Sequence, residues 1–259
     1  PDRMRGIKTQ STEPTLPNVG APQFDARDES PLIFEVGERV GGVYEIEGLL
    51  GEGGMGQVFE GFDHALARKV AIKVAFPRAA GGPSLRDEAR ALAAFRHPSL
   101  VSVHTLGEHR GYDFIVMERI YGVSLADYQS RRQRSRKPIA IPEIVRIVGA
   151  IAEGLAIVHR AGLVHRDVKP ENVMLTPDER VVLMDFGLVV PESTFATSST
   201  IAGSPAYMAP EALVNDVRPG SGALVDVYAL GVLAFELVAG RRPREVATLE
   251  GLYETLTTE

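Results

Sequence analysis

Cysteine is absent from the 259 residues. That excludes disulfide scaffolds, thiolate zinc sites and cysteine nucleophiles, and is compatible with a reducing cytoplasm. An excess of positive charge is also missing. Twenty-eight Lys and Arg stand against 34 Asp and Glu, a formal net charge of −6, which argues against a protein that coats DNA or RNA. No uninterrupted apolar run reaches ~18 residues, so the sequence predicts no transmembrane helix in this piece. No signal-peptide core and no fixed-period repeat is present. The chain opens on Pro1 rather than Met and reads as a fragment of a longer protein, so that a membrane anchor, where one exists, lies outside these residues. What remains is ordinary globular material: 44% hydrophobic and 24% charged residues, in a length that suits one large domain or two small lobes with a real core.

Residues 1–40 differ from the rest. Pro1, Pro14, Pro17, Pro22 and Pro31 punctuate a polar stretch without periodicity, which predicts a flexible linker or extended arm. Order begins at about Tyr44. Residues 43–50 and 57–62 read as strands separated by Gly51, Gly53, Gly54 and Gly56, and residues 69–75 alternate like a third strand. Ser84 starts a helix whose Leu85, Ala89 and Leu92 share one face with Glu88. A carboxylate on an apolar stripe asks for a cationic partner. Residues 114–118 (FIVME) form another apolar strand. Beyond Gly122 the pattern turns helical. Ile144, Ile147, Val148, Ile151, Leu155 and Val158 make one stripe between Pro142 and Gly162, and residues 225–239 form an apolar segment interrupted by Asp226 and Glu236. A β-rich first half and a helical second half predict two lobes, residues 41–121 and 122–259. Residues 131–137 (RRQRSRK) carry five basic side chains in seven, a solvated loop or a docking patch for acidic partners.

Five motifs carry chemistry. Gly51-Glu52-Gly53-Gly54-Met55-Gly56 is weak alone, since a glycine turn or a dinucleotide-binding loop would look similar. A strand rather than a helix follows it, so it reads as a hairpin whose backbone N–H groups can approach phosphate oxygens. Val70-Ala71-Ile72-Lys73 follows, with Glu88 fifteen residues beyond the lysine. Together these supply a cation for phosphate and a carboxylate to hold it. Then come His165-Arg166-Asp167-Val168-Lys169-Pro170-Glu171-Asn172, Asp185-Phe186-Gly187, and Ala209-Pro210-Glu211 preceded by Gly203-Ser204-Pro205.

In this order and spacing, the motifs resemble those of serine/threonine protein kinases of the eukaryotic-like, Hanks type, and their wording is similar to the bacterial branch; the resemblance runs from about Tyr44 to Pro243. It implies an α+β, two-lobed kinase fold and transfer of the ATP γ-phosphate to protein Ser/Thr hydroxyls in signalling, with autophosphorylation. By the same resemblance Asp167 orients the accepting hydroxyl and Lys169 neutralises the transferring group. Asn172 and Asp185 hold Mg²⁺ (or Mn²⁺). Lys73 binds the α- and β-phosphates and Glu88 orients Lys73. Gly51, Glu52, Gly53, Gly54 and Gly56 cover the phosphates. Met117 backs the adenine pocket, backbone groups of Glu118 and Ile120 bind the base, Val58 and Ala71 pack above it and Leu175 below. Asp226 anchors the backbone at His165 and Arg166.

The implied partners are protein substrates and a second copy of the chain for phosphorylation in trans, with no nucleic acid. The implied location is cytoplasmic, including the cytosolic part of a membrane-anchored protein. Six hydroxyl residues crowd positions 193–200, and Thr200, then Ser198, are the expected phosphorylation sites, facing Arg166. Family members continue for several helices after the position of Pro243, whereas residues 244–259 are all that follow here, without the late arginine that would pair Glu211. The second lobe is therefore expected to be incomplete at its base. The alternative is a catalytically silent, nucleotide-binding scaffold. Such chains lack the key Lys, Asp or Asn, and none is missing here.

Overall fold

The computed structural model describes residues 31–53, 56–76, 85–93, 95–195, 203–214, 216–244 and 251. Pro31 and Leu32 belong to the segment that precedes the folded unit, which begins at Ile33.

The first lobe is an antiparallel sheet. Its strands are β1 (Arg39–Val40), β2 (Tyr44–Gly53), β3 (Gly56–Asp63), β4 (Arg68–Ala75), β5 (Val103–His109) and β6 (Tyr112–Glu118), in the order β1-β2-β3-β4-β6-β5. β4 lies between β3 and β6 with both edges paired, one face carrying Val70, Ile72 and Val74 into an apolar cluster and the other placing Ala71 in a cluster with α1 residues, so Val70 through Val74 are all buried. This central placement takes Lys73 out of solvent. Phe34, Val40, Ile46, Phe59, Val70, Ile72, Val74, Phe114 and Val116 form one apolar cluster of the sheet. Helix α1 (Leu85–Ala93) buries Leu85, Ala89 and Leu92 together with Glu88, the single face expected from their spacing. Ser84 lies outside the described residues.

The second lobe is mainly helical. β7 (Val123–Ser124) leads into α2 (Leu125–Arg134), capped by the Ser124 hydroxyl, which accepts the Asp127 N–H. α3 (Ile141–Arg160) starts with Pro142 in its first turn and buries the stripe from Ile144 to Val158. After β8 (Leu163–Val164) come β9 (Val173–Leu175), β10 (Val181–Leu183), β11 (Val190–Pro191), and the short helices α4 (Glu192–Phe195) and α5 (Pro210–Leu213). β7, β9 and β10 form a small sheet, and β8 pairs with β11. α6 (Gly222–Ala239) packs on α3 and buries Val225, Ala229, Val232, Leu233 and Leu237, while Leu224, Val227, Phe235 and Val238 stay exposed. Among the described residues it is the helix long and apolar enough to cross a membrane, yet Asp226 in its second turn is buried and accepts the His165 and Arg166 main-chain N–H groups. The architecture is a two-lobed α+β kinase fold.

Three features differ from the sequence expectations. Residues 33–40 are not an arm: Phe34 is fully buried against Phe59, with His109 and Tyr112 edge-on, and Arg39–Val40 extends the sheet. A buried aromatic together with main-chain bonds to β2 docks a segment that shows no periodicity. The basic run 131–137 is not a loop throughout, because Arg131, Arg132 and Arg134 form the last turn of α2, where cations suit the carbonyl end of a helix. β5 lacks alternation in sequence and shows as a strand because it pairs with β6. Glu211 makes no ion pair among the described residues.

Candidate active site

The site starts from Lys73 on β4. Its ammonium donates to Glu88 Oε1 at 2.7 Å and Oε2 at 2.9 Å, and to Asp185 Oδ1 at 2.6 Å. Two carboxylates thus share one buried lysine. Burial pulls the Lys73 pKa down, but the Glu88 and Asp185 charges outweigh it and hold the group above its ordinary value. The two acids separate: burial keeps Glu88 above the usual carboxylate range, whereas Asp185 sits below it, because Lys73 overcomes the effect of burial there. Asp185 has a left-handed φ of 52° and accepts the Gly187 N–H at 3.2 Å. The next residue, Phe186, is fully buried with its ring 4.7 Å from that of His165, so the turn is pinned on both sides.

The loop after β8 carries the second group. Lys169 Nζ lies 2.7 Å from Asp167 Oδ2 and donates to Ser204 Oγ at 2.9 Å; the Ser204 hydroxyl donates to Asp167 Oδ1 at 3.0 Å. Asn172 Nδ2 donates to the Asp167 main-chain oxygen at 2.8 Å and to Oδ2 at 2.9 Å. Asp226 supports the loop from below. Its Oδ2 accepts the His165 N–H and its Oδ1 the Arg166 N–H, each at 2.8 Å, and His159 Nε2 lies 2.7 Å from Oδ2. These bonds hold Arg166 at a left-handed φ of 70°, a conformation costly for a residue with a side chain. Burial depresses the pKa of His165 and lowers that of the Arg166 guanidinium, which stacks 4.8 Å from the Phe195 ring. Gly203 stands where a Cβ would meet the Arg166 carbonyl at 2.7 Å, with φ 124°. Only glycine lets the segment bearing Ser204 approach the loop this closely.

These groups line a cleft. One cavity of about 830 Å³ runs from Gly51, Glu52, Gly53 and Gly56 past Lys73, Asp167, Lys169, Asn172 and Asp185 to Ser204 and Tyr207. Gly56 has φ 148°, and a Cβ there would sit 2.0 Å from the Val74 carbonyl, which fixes the hairpin against β4. A second cavity of about 530 Å³ adjoins it through Gly51, Val58, Lys73, Asn172 and Asp185, walled by Leu50, Val58, Ala71, Val101, Met117, Met174 and Met184 and edged by Glu118 and Ile120. The Glu118 N–H donates to the Ser102 carbonyl, and the Ile120 carbonyl accepts from Arg119 Nη1.

The structure brings together Lys73, Glu88, Asp185, Asp167, Lys169, Asn172, the glycines at 51, 53 and 56 with Glu52, and Val58, Ala71, Met117, Glu118 and Ile120. Leu175 is the exception. It is buried in β9, with Val123 and Val181 as its strand partners, and does not line the cavity; Met174 does. Successive strand residues face opposite sides, so a one-residue error moves the side chain from the cavity wall to the core. Leu50, Val101 and Met184 were also missed, because single apolar residues carry no distinguishing signal in the sequence. Gly54, Ser198 and Thr200 lie outside the described residues.

The sequence matches the protein kinase domain family over residues 44–258. It is 37% identical over 218 residues to a probable serine/threonine-protein kinase, pknA2, of Bifidobacterium longum, covering 81% of this chain and 28% of that protein. Against the serine/threonine-protein kinase PknA of Mycobacterium tuberculosis it is 37% identical over 220 residues, 80% of this chain and 49% of the relative. Against PknL of the same species it is 39% identical over 207 residues, 77% and 50%. The chain spans half or less of the length of these relatives.

Proposed function

This chain belongs to the protein kinase domain family, and from that premise we propose that it transfers the γ-phosphoryl group of ATP to serine or threonine hydroxyls of proteins, itself included, as a signalling enzyme. The observation that carries this reading is the convergence of two clusters on one cleft: Lys73 with Asp185 on one side, Asp167 with Lys169 and Ser204 on the other.

The base of ATP fits the second cavity, between Val58 and Ala71 on one side and Met174 on the other, against the backbone of Glu118 and Ile120. Lys73, held by Glu88, meets the α- and β-phosphates. Asp167 already accepts a hydrogen bond from a hydroxyl, that of Ser204. A substrate serine or threonine presents the same group. The Asp167 carboxylate orients it and takes its proton as the oxygen–phosphorus bond forms, while the bond from the γ-phosphorus to its bridging oxygen breaks and ADP leaves. Lys169 neutralises charge on the transferring group, and the positioning itself lowers the barrier.

The donor set also fits a hard divalent cation. Asn172 spends its amide nitrogen on Asp167, which leaves the carbonyl oxygen as its ligating end, beside the Asp185 carboxylate. Among the described residues no cluster of three or more acidic or imidazole ligands occurs, so the site suits a cation that takes its remaining oxygens from phosphate and water. Mg²⁺ or Mn²⁺ bound there supplies neutralisation of the phosphate oxygens.

Protein substrates, self-association for phosphorylation in trans at Thr200 or Ser198, and action in the cytoplasm, including as the cytosolic part of a membrane-anchored protein, belong to the same reading. The test is transfer of labelled γ-phosphate from Mg·ATP to the chain itself and to a serine-rich carrier protein, with Asp167→Asn as control. Label that appears in the wild type and disappears in the variant supports it. Nucleotide binding without transfer points to a silent scaffold, and absence of both overturns the proposal.

A further inference from the structure

Gln57 is the second residue of β3, directly after the last glycine of the phosphate-covering hairpin. It is 0% exposed, although it is polar. Its Oε1 accepts the main-chain N–H of Ile33 at 2.8 Å, and its Nε2 donates to Glu52 Oε2 at 3.2 Å. Glu52 lies opposite Gln57 across the hairpin and lines the cleft. Ile33 lies 24 residues earlier in the chain, ahead of the residues matched to the family.

The chemistry of this relay is directional. The Ile33 N–H can only donate and the Glu52 carboxylate can only accept, so the bridge needs a side chain with one acceptor and one donor end, which an amide supplies. Because Gln57 is buried, water is not at hand to replace a bond lost to either Ile33 or Glu52. The position of residue 33 therefore sets the orientation of the Gln57 amide, and the amide in turn holds Glu52.

Residue 33 is itself firmly placed. Phe34 is buried in the sheet cluster, the Gly37 N–H donates to the Ile46 carbonyl at 2.8 Å, and the Ile46 N–H donates to the Glu38 carbonyl at 2.9 Å. Glu38 lies 2.9 Å from His109 Nε2 and 3.2 Å from Arg110 Nη1. The segment 33–40 is thus tied to β2 and to the turn between β5 and β6, a rigid base from which Gln57 reaches the hairpin.

We propose that Gln57 is a positioning residue for the nucleotide, and that the segment before the family-matched region, through the Ile33 amide, sets the conformation of the glycine-rich hairpin. Its effect on ATP rests on the kinase reading; the mechanical link does not. Four full-chain variants test it. Gln57→Leu is apolar and one methylene shorter, and breaks both bonds. Gln57→Glu keeps an acceptor for Ile33 but sets a carboxylate against Glu52. Ile33→Pro removes the N–H, and Ile33→Ala keeps it while losing the side chain.

Each is measured by the ATP KM and kcat, by melting temperature, and by hydrogen exchange of the amides at residues 51–53 and 56–58. Gln57→Leu, Gln57→Glu and Ile33→Pro are expected to raise the ATP KM about three- to tenfold with kcat within about twofold, and to speed exchange in the hairpin. Ile33→Ala stays near the wild type in both. Unchanged exchange in Gln57→Leu and Ile33→Pro overturns the proposal, as does equal loss in Ile33→Ala and Ile33→Pro, which would reduce the contact to side-chain packing. Should Gln57→Leu fail to fold, the two Ile33 variants decide. Should the wild type turn over no ATP, the kinase reading falls and the exchange data alone decide the link.

Discussion

Asparagine at position 226 would test the support beneath the loop that carries Asp167. The Asp226 carboxylate is 1% exposed and accepts two main-chain N–H groups, those of His165 and Arg166, at 2.8 Å each. Asparagine keeps the shape but turns one acceptor oxygen into an NH2 donor. One buried N–H then faces a donor and loses its partner, a cost of about 1–3 kcal/mol; the other bond falls from a charged acceptor to a neutral one, about 1 kcal/mol more. The sum is about 2–4 kcal/mol, a large share of the ~5–15 kcal/mol that holds a typical domain folded. The same bonds hold Arg166 in its left-handed conformation, so Asp167, the next residue, loses its placement too. The chain has no tryptophan, so urea unfolding is followed by far-ultraviolet circular dichroism. With a slope of about 2–3 kcal/mol/M, the midpoint should fall by about 1 M, and phosphoryl transfer should fall with it. Asp226→Ala, which leaves both N–H groups open, should be worse. A midpoint for Asp226→Asn within about 0.2 M of the wild type would refute the reasoning.

Met174→Ala should raise the ATP KM with little loss of stability, whereas Leu175→Ala should lower the melting temperature, at a cost of about 2–4 kcal/mol, without a selective effect on ATP; the reverse pattern would restore Leu175 to the cavity. Ser204→Ala should cut kcat about tenfold by removing the hydroxyl that bridges Lys169 and Asp167, and Ser204→Thr should restore it in steady-state phosphorylation assays. Lys73→Met should abolish transfer, on the order of 100-fold or more, while far-ultraviolet dichroism reports a folded chain. The lysine's folded-state pKa is raised above 10.5, so its contribution to stability is complete below pH 10.5 and is lost as the pH rises through the folded value; thermal melts at increasing alkaline pH should show that loss in the wild type and not in Lys73→Met. Burial holds the His165 pKa below 6.5, so the wild type should lose stability as the pH falls below 6.5, and His165→Phe, which keeps an aromatic ring against Phe186, should lose less over the same range.

Much of the site was legible because its chemistry is local. The glycines that would let backbone approach phosphate cluster at 51, 53, 54 and 56, and Asp167, Lys169 and Asn172, to which the resemblance assigns the hydroxyl, the transferring group and the cation, lie within six residues. Glu88 announced its role by standing on an apolar stripe, where only a buried cation could justify it, and Lys73 proved to be that cation. Asp226, an acid in an apolar helix, was legible for the same reason.

What composition and spacing determined, then, was the set of elements with strong periodicity, the two-lobed order and the residue types of the chemistry, since each is written in a run of neighbours. Tertiary structure alone decided the rest. Which of Met174 and Leu175 faces the cavity depends on the register of β9 against β7 and β10, and a strand of three residues shows no alternation from which to read it. That residues 33–40 belong to the folded unit depends on the space for Phe34 beside Phe59, offered by a sheet closed from strands far along the chain. And Gln57, unremarkable after a glycine, acquires its partners only when Ile33 and Glu52 are brought to its two ends, because a hydrogen bond is specified by distance and direction in space, neither of which spacing along the chain can supply.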